Sequence, residues 1–203
     1  MDTLVVPADD PRALQQALDT LQQGGLVAFP TDTVYGLGAL AFDPISIECL
    51  YAVKGRESSK AIPILICDLG ELSQVAATID SRTRRLAERF WPGPLTLVVP
   101  RHPSLPDVLT PYPTVGVRMP DHPVALAFIK RTGPLAVTSA NLSGQPSATT
   151  AGEVLAYLRG RIDLLLDGGP TPGGVSSTVV DCSGPDLAIL RQGPITLEEL
   201  LAF

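Results

Sequence analysis

Short apolar runs that break off into clusters of hydroxyl and amide side chains are the feature that most limits what this chain can become. Leu26-Val27-Ala28-Phe29 stops at Pro30 and is followed by Thr31, Asp32 and Thr33. Leu135-Ala136-Val137 is followed by Thr138, Ser139, Ala140, Asn141, Leu142, Ser143 and Gly144. Such a run reads as a buried strand, and the polar residues after it as the loop at its end. Ligands of open α/β sheets settle at the carboxyl ends of strands. Tyr35, Gly36 and Gly38 come next, and further on Lys54-Gly55-Arg56 forms a basic cluster with Lys60 just beyond. Hydroxyls in such loops suit a small polar ligand, and a Lys/Arg pair suits an anion.

The chain has 203 residues, 45% of them hydrophobic, and a mean hydropathy of +0.24. That is enough apolar surface for a substantial core and argues against disorder. The formal net charge is −6 and the pI about 4.8, a poor balance for gripping nucleic acid, which needs a basic face. Among the basic residues only Lys54, Lys60 and Lys130 are lysines. Cys49, Cys67 and Cys182 are far apart and odd in number, with no disulfide or metal spacing. No metal site is expected from the residues. The N-terminal MDTLVVPADD does not read as a leader, and the apolar runs are too short to span a bilayer. A cytoplasmic protein without membrane contact is the expectation.

Local signals place the other elements. Asp9 or Asp10 with Pro11 predicts a helix start, running to about Gln23 and stopped by Gly24-Gly25. Asp43-Pro44 predicts a second helix through Leu50 and Tyr51, which delivers Lys54 and Arg56 just past its end. Ile62–Cys67 predicts a strand that Pro63 would confine to a sheet edge. Helices are expected after Asp68 and over Ser81–Phe90, the latter with Arg82, Arg84, Arg85 and Arg89 on a solvated face. Trp91-Pro92-Gly93-Pro94 makes a corner before a strand at Leu95–Val99. Pro100–Pro113 is expected to lack regular structure. In Thr114–Met119, alternation puts Thr114, Gly116 and Arg118 on one face, where Arg118 needs an anion or a carboxylate partner. Capping boxes begin helices at Thr150 and Thr196. The glycine-rich Asp167–Gly174 segment lacks the Gly-Lys-Ser/Thr ending of a P-loop. The irregular alternation predicts one α/β domain over 1–203, a twisted mixed sheet flanked by helices with a concave pocket.

Thr31, Thr33, Ser139, Asn141, Ser177, Thr178 and Arg191 fall at strand ends, and Lys54, Arg56 and Arg118 add charge. Their repetition predicts one cationic pocket suited to a nucleotide phosphate. His102 and His122 each precede a proline and read as turn residues, and no nucleophile–base pair stands out. An enzyme built this way works by positioning and charge stabilisation.

The segments PTDTVYGLGA, KGR, the Trp-Pro-Gly-Pro-Leu-Thr corner, VGVRMPDHP, TSANLSGQPS, SSTVVD and LRQG resemble, in order, the motifs of the YrdC/Sua5 family of L-threonylcarbamoyladenylate synthases. The resemblance covers about residues 10–195, and the chain is similar to the short single-domain form. It implies that threonylcarbamoyl-AMP and pyrophosphate are formed from L-threonine, bicarbonate and ATP with Mg²⁺. A downstream transferase would then modify adenosine 37 of tRNA, with at most a weak direct tRNA contact. By motif position, Thr33 and Arg118 would hold the threonine. Lys54 and Arg56 would act on the ATP phosphates, with Lys60 beside them. Thr114, Ser139, Asn141, Ser147, Ser177 and Arg191 would line the nucleotide side. The strand after Arg56 carries only apolar residues and Cys67 where some relatives place a histidine. Two other readings are an RNA- or tRNA-binding module without turnover and a carbamoyl-adenylate-forming enzyme.

Overall fold

The computed structural model describes residues 2–202. Their strands are β1 (Leu4–Pro7), β2 (Val27–Phe29), β3 (Gly36–Leu40), β4 (Ile64–Leu65), β5 (Leu95–Pro100), β6 (Thr114–Arg118), β7 (Leu135–Ser139), β8 (Leu164–Asp167), β9 (Thr178–Asp181) and β10 (Ala188–Arg191). All ten join one sheet in the order β1-β8-β2-β3-β7-β4-β6-β5-β9-β10. The pairs β1–β8, β2–β8, β4–β6 and β5–β9 are parallel and the rest antiparallel. The helices are α1 (Ala13–Gln22), α2 (Pro44–Lys54), α3 (Leu72–Val75), α4 (Ser81–Phe90), α5 (Pro123–Thr132), α6 (Ala151–Leu158) and α7 (Leu197–Leu201). This is the expected α/β fold with a mixed sheet flanked by helices.

The two-residue side-chain period of a strand divides the sheet into two unlike halves. In β2, β7 and β8, both sets of side chains are buried. Val27, Phe29, Leu135, Val137, Leu164 and Leu166 pack with Ala13, Ala17 and Leu21 of α1 and Ala125, Phe128 and Ile129 of α5. The intervening Ala28, Ala136 and Leu165 join the core on the opposite face, which includes Ile47 and Leu50 of α2 and Val154 and Leu158 of α6. Phe29 and Phe128 meet edge to face with centroids 5.4 Å apart. In β5 and β6, only one set enters that second core: Leu95, Leu97, Val99, Val115 and Val117. Thr96, Thr114, Gly116 and Arg118 point to the other side, where a cavity replaces helical cover.

Several local expectations hold. The Asp43 carboxylate accepts from the Ile45 N–H at 3.0 Å, with Pro44 in the first turn. The helix it opens runs further than expected, with Lys54 as its last residue rather than just past it, and stops at Gly55, in the left-handed region that glycine enters without a Cβ clash. The boxes Thr150/Glu153 and Thr196/Glu199 both close, and the structure adds a third at Asp68/Glu71.

Three expectations are corrected. The first long helix starts at Ala13 behind Arg12, not at Pro11. Asp10 uses its carboxylate on the Arg12 N–H and its carbonyl on the Ala13 N–H, so it builds a turn ahead of the helix. The strand after Arg56 is not at an edge: β4 lies between β7 and β6 and is only Ile64–Leu65. Pro63 sits just before those paired residues, so its missing N–H costs no ladder bond, and its carbonyl still accepts from Val137. The proline-rich loop holds a turn of 3₁₀ helix at Asp107–Leu109.

Candidate active site

The uncovered face of β5, β6 and β9 forms the floor of a cavity of about 350 Å³, within the range of small-molecule sites. Its walls come from the 31–36 loop, Ser139 at the end of β7, Arg56 and Ala61 beyond α2, Ser176 and Ser177 before β9, and Leu190 and Arg191 of β10. The predicted face of β6 is there: Thr114, Gly116 and Arg118 all line it. Gly116 leaves little room for more, because a Cβ would lie 3.0 Å from Thr96 Cγ2.

One end is closed by a fixed hydrogen-bond chain. Arg118, 6% exposed, donates through Nε to the Gly93 carbonyl at 3.0 Å and through Nη2 to the Asp32 carboxylate at 2.5 Å. Its Nη1 donates to Thr33 Oγ1 at 3.0 Å. The Thr31 hydroxyl donates to the Val34 carbonyl at 2.7 Å, so in the 3.0 Å contact between the two threonines Thr33 is the donor. Asp32, Arg118, Thr33 and Thr31 are thus ordered in sequence, and two of Arg118's five N–H groups stay uncommitted. Burial pushes the Arg118 guanidinium down and Asp32 draws it back up.

The other end is more open. Arg191 donates through Nε and Nη2 to the Ser177 carbonyl at 3.1 and 2.9 Å, and through Nη2 to Ser177 Oγ at 3.1 Å. Ser177 Oγ in turn meets Thr96 Oγ1 at 2.8 Å. Arg56 is held by the carbonyls of Lys60 at 3.0 Å and Ala61 at 2.9 Å. Burial lowers the pKa of Arg191, and repulsion from Arg118 and Arg56 lowers it further. Among the described residues lining the cavity there are three guanidiniums and no carboxylate. An anion is what this potential attracts.

Not every anticipated residue reaches the cavity. Lys54, 2% exposed, lies behind it, with its ammonium on the main-chain carbonyls of Ser139 and Asn141. Burial drives its pKa down to about 7, and Arg56 adds repulsion. Asn141 donates to the carbonyls of Leu142 and Gln145, shaping the same loop. Lys60 is exposed and 3.5 Å from Glu57. Asn141, Lys60 and the half-buried Ser147 are outside the lining. Motif position puts Lys54 and Lys60 on the ATP phosphates; in this structure the Lys54 ammonium meets main-chain carbonyls and Lys60 lies beside Glu57.

Thr96, Tyr35 and Tyr112, none of them among the predicted site residues, also line the cavity. Thr96 has the same cue as Thr114, a hydroxyl alternating with core residues in a strand. Tyr35 donates to the Gly169 carbonyl at 2.7 Å, and burial pushes its phenol up to about 12. His122 sits at the start of α5, with Nδ1 buried. Burial lowers the His122 pKa. No group of three or more His, Cys, Asp or Glu that could hold a metal ion is present among the described residues, and none of their helices is long and apolar enough to cross a membrane.

Residues 19–193 match the Sua5/YciO/YrdC family model, described as "Telomere recombination". The chain belongs to this family. A Bacillus subtilis member, named threonylcarbamoyl-AMP synthase, is 44% identical over 197 residues, covering 96% of this chain and 57% of that protein. A Mycobacterium tuberculosis member, named putative threonylcarbamoyl-AMP synthase, is 37% identical and is 90% covered. The chain spans little more than half the length of the B. subtilis and Pyrococcus abyssi relatives. Among solved structures, P. abyssi Sua5 complexed with L-threonine aligns with a TM-score of 0.93 at 39% identity, over 99% of this chain and 61% of that one. Escherichia coli YciO aligns with a TM-score of 0.87 at 26% identity over its whole length. The family's shared fold therefore extends through both halves of the sheet and the cavity-bearing strands.

Proposed function

We propose that this family member condenses L-threonine, bicarbonate and ATP into threonylcarbamoyl-AMP and pyrophosphate. The product would pass, in the cytoplasm, to a transferase that modifies adenosine 37 of tRNA. The observation that carries the reading is a cavity with three guanidiniums, no carboxylate and one end closed by ordered threonine hydroxyls. A triphosphate suits the guanidiniums and a hydroxy amino acid suits the closed end. The names of the relatives and the L-threonine held by P. abyssi Sua5 support the assignment.

In this reading the threonine carboxylate takes the free N–H groups of Arg118 or displaces Asp32, and Thr33 meets its hydroxyl. Threonine nitrogen and bicarbonate form a carbamate with loss of water. A carbamate oxygen attacks the α-phosphorus of ATP, the bond to the bridging oxygen breaks, and pyrophosphate leaves. Negative charge grows on the α-phosphoryl oxygens and the leaving group, and Arg56 and Arg191 offset it. Ser139, Ser177 and Thr114 border the nucleotide. Lys54 acts from behind, holding the Ser139 and Asn141 carbonyls so that the Ser139 loop keeps its shape. Magnesium enters as part of the ATP substrate, bound to phosphate oxygens; the cavity lining offers cations and hydroxyls and no carboxylate cage.

The test is pyrophosphate release from Mg-ATP. Release that requires both L-threonine and bicarbonate is expected. Release that follows carbamoyl phosphate, or an RNA mobility shift without turnover, overturns the proposal.

A further inference from the structure

The glycine-rich segment between β8 and β9 matches no phosphate-binding motif, yet it touches both ends of the cavity. It starts at Asp167, where the Tyr35 hydroxyl donates to the Gly169 carbonyl at 2.7 Å. The Thr171 N–H donates to the Thr149 carbonyl at 2.8 Å, and the Gly174 N–H to the Thr33 carbonyl at 2.8 Å. The segment ends in Ser176 and Ser177, which line the cavity. Its closest approach to backbone is at Gly173. A Cβ there would stand 2.7 Å from the Asp32 carbonyl oxygen, 3.0 Å from Thr33 Cα and 3.2 Å from the Thr33 carbonyl oxygen. Real Cβ atoms do not come that near to backbone, and backbone cannot swing aside as a side-chain tip can. Gly173 is not in the left-handed region, unlike Gly169 at φ +79° and Gly174 at φ +65°. Its requirement is therefore for space against the Asp32–Thr33 backbone.

We propose that Gly173 is a positioning residue for the amino-acid end of the cavity. Lacking a side chain, it lets the strap lie flush on Asp32–Thr33 and sets Thr33 Oγ1 against Arg118. The proposal rests on the reading above, in which Thr33 and Arg118 hold the threonine. The nearest atoms to a Cβ at 173 all belong to Asp32 and Thr33, whereas Arg56 and Arg191 stand at the other end. A side chain at 173 must push Thr33 by some tenths of an ångström, and misplacement on that scale weakens a fitted site steeply.

The experiment is steady-state kinetics of pyrophosphate release by Gly173→Ala, with KM measured separately for L-threonine and ATP. The expected result is an L-threonine KM raised about tenfold, with the ATP KM within about twofold of wild type. Gly169→Ala is the control. It strains the same strap at positive φ, but its Cβ meets nothing within 4 Å, so it lowers the melting temperature without splitting the two KM values. Pro172→Gly loosens the strap beside Gly173 without adding bulk; it gives the same split at smaller size and serves if Gly173→Ala does not fold. An unchanged L-threonine KM, an equal rise in both constants, or the same split in Gly169→Ala overturns the positioning role. Wild-type protein that releases no pyrophosphate with threonine and bicarbonate overturns the parent reading and this inference with it.

Discussion

The two halves of the sheet use the same strand geometry for opposite ends. In β2, β7 and β8 successive residues are apolar on both faces, and α1 and α5 close one side while α2 and α6 close the other. In β6 every second residue is polar or glycine, β5 adds Thr96 and Val98 on the same side, and among the described residues no helix covers that side. Leu65 and Val137 belong to both regions: they pack in the α1/α5 core and also line the cavity. The cavity therefore starts where helical cover stops. One half supplies a core packed on both faces, and the other supplies the floor of the cavity.

If this division is right, substitutions in the two halves should separate stability from turnover. The largest stability effect belongs to the covered half. Phe29→Ala removes a fully buried ring packed against Phe128 and should cost about 3–5 kcal/mol, read as a shifted urea midpoint. A loss below about 1 kcal/mol would break the comparison.

Arg118 is the sharpest case, because it sits in the open half yet is held like a core group. Arg118→Ala leaves the Asp32 carboxylate, 11% exposed, without its partner. The expected cost is about 3 kcal/mol. Asp32→Ala in the same chain should recover most of that stability and none of the threonine affinity. A double variant no more stable than Arg118→Ala would show that the pair does not act as a unit.

The smallest stability effect and the largest kinetic one should coincide in Arg191→Ala. Its bonds go to one serine at a partly open rim, so unfolding free energy should fall by about 1 kcal/mol. Pyrophosphate release should slow ~10²–10³-fold, the usual loss of one transition-state charge contact. Near-normal turnover would move the phosphate-binding role elsewhere.

Residues whose function is local were legible before the fold was known. Asp43-Pro44, Thr150/Glu153 and Thr196/Glu199 cap helices through bonds that span three residues or fewer. The alternation of Thr114, Gly116 and Arg118 marked the cavity floor, because a strand's side-chain period is independent of its neighbours. The family motifs located Thr33, Arg56, Arg118, Ser139, Ser177 and Arg191, which all line one cavity. They did not tell Lys54 from Arg56. The two are separated by one glycine, yet one faces the cavity and the other is buried behind it.

By itself, then, the chain's order of residues determined which helices are capped at Asp43, Thr150 and Thr196, that β6 has a polar face, and which side chains carry charge. Only the tertiary structure decided the rest: that Pro63 introduces a central strand, that Asp32 is the partner of Arg118, and that Gly173 presses on Thr33. The reason is distance along the chain. Asp32 and Arg118 are 86 residues apart, and no local propensity encodes a contact that exists only once β6 and the loop after β2 have been brought together across the sheet.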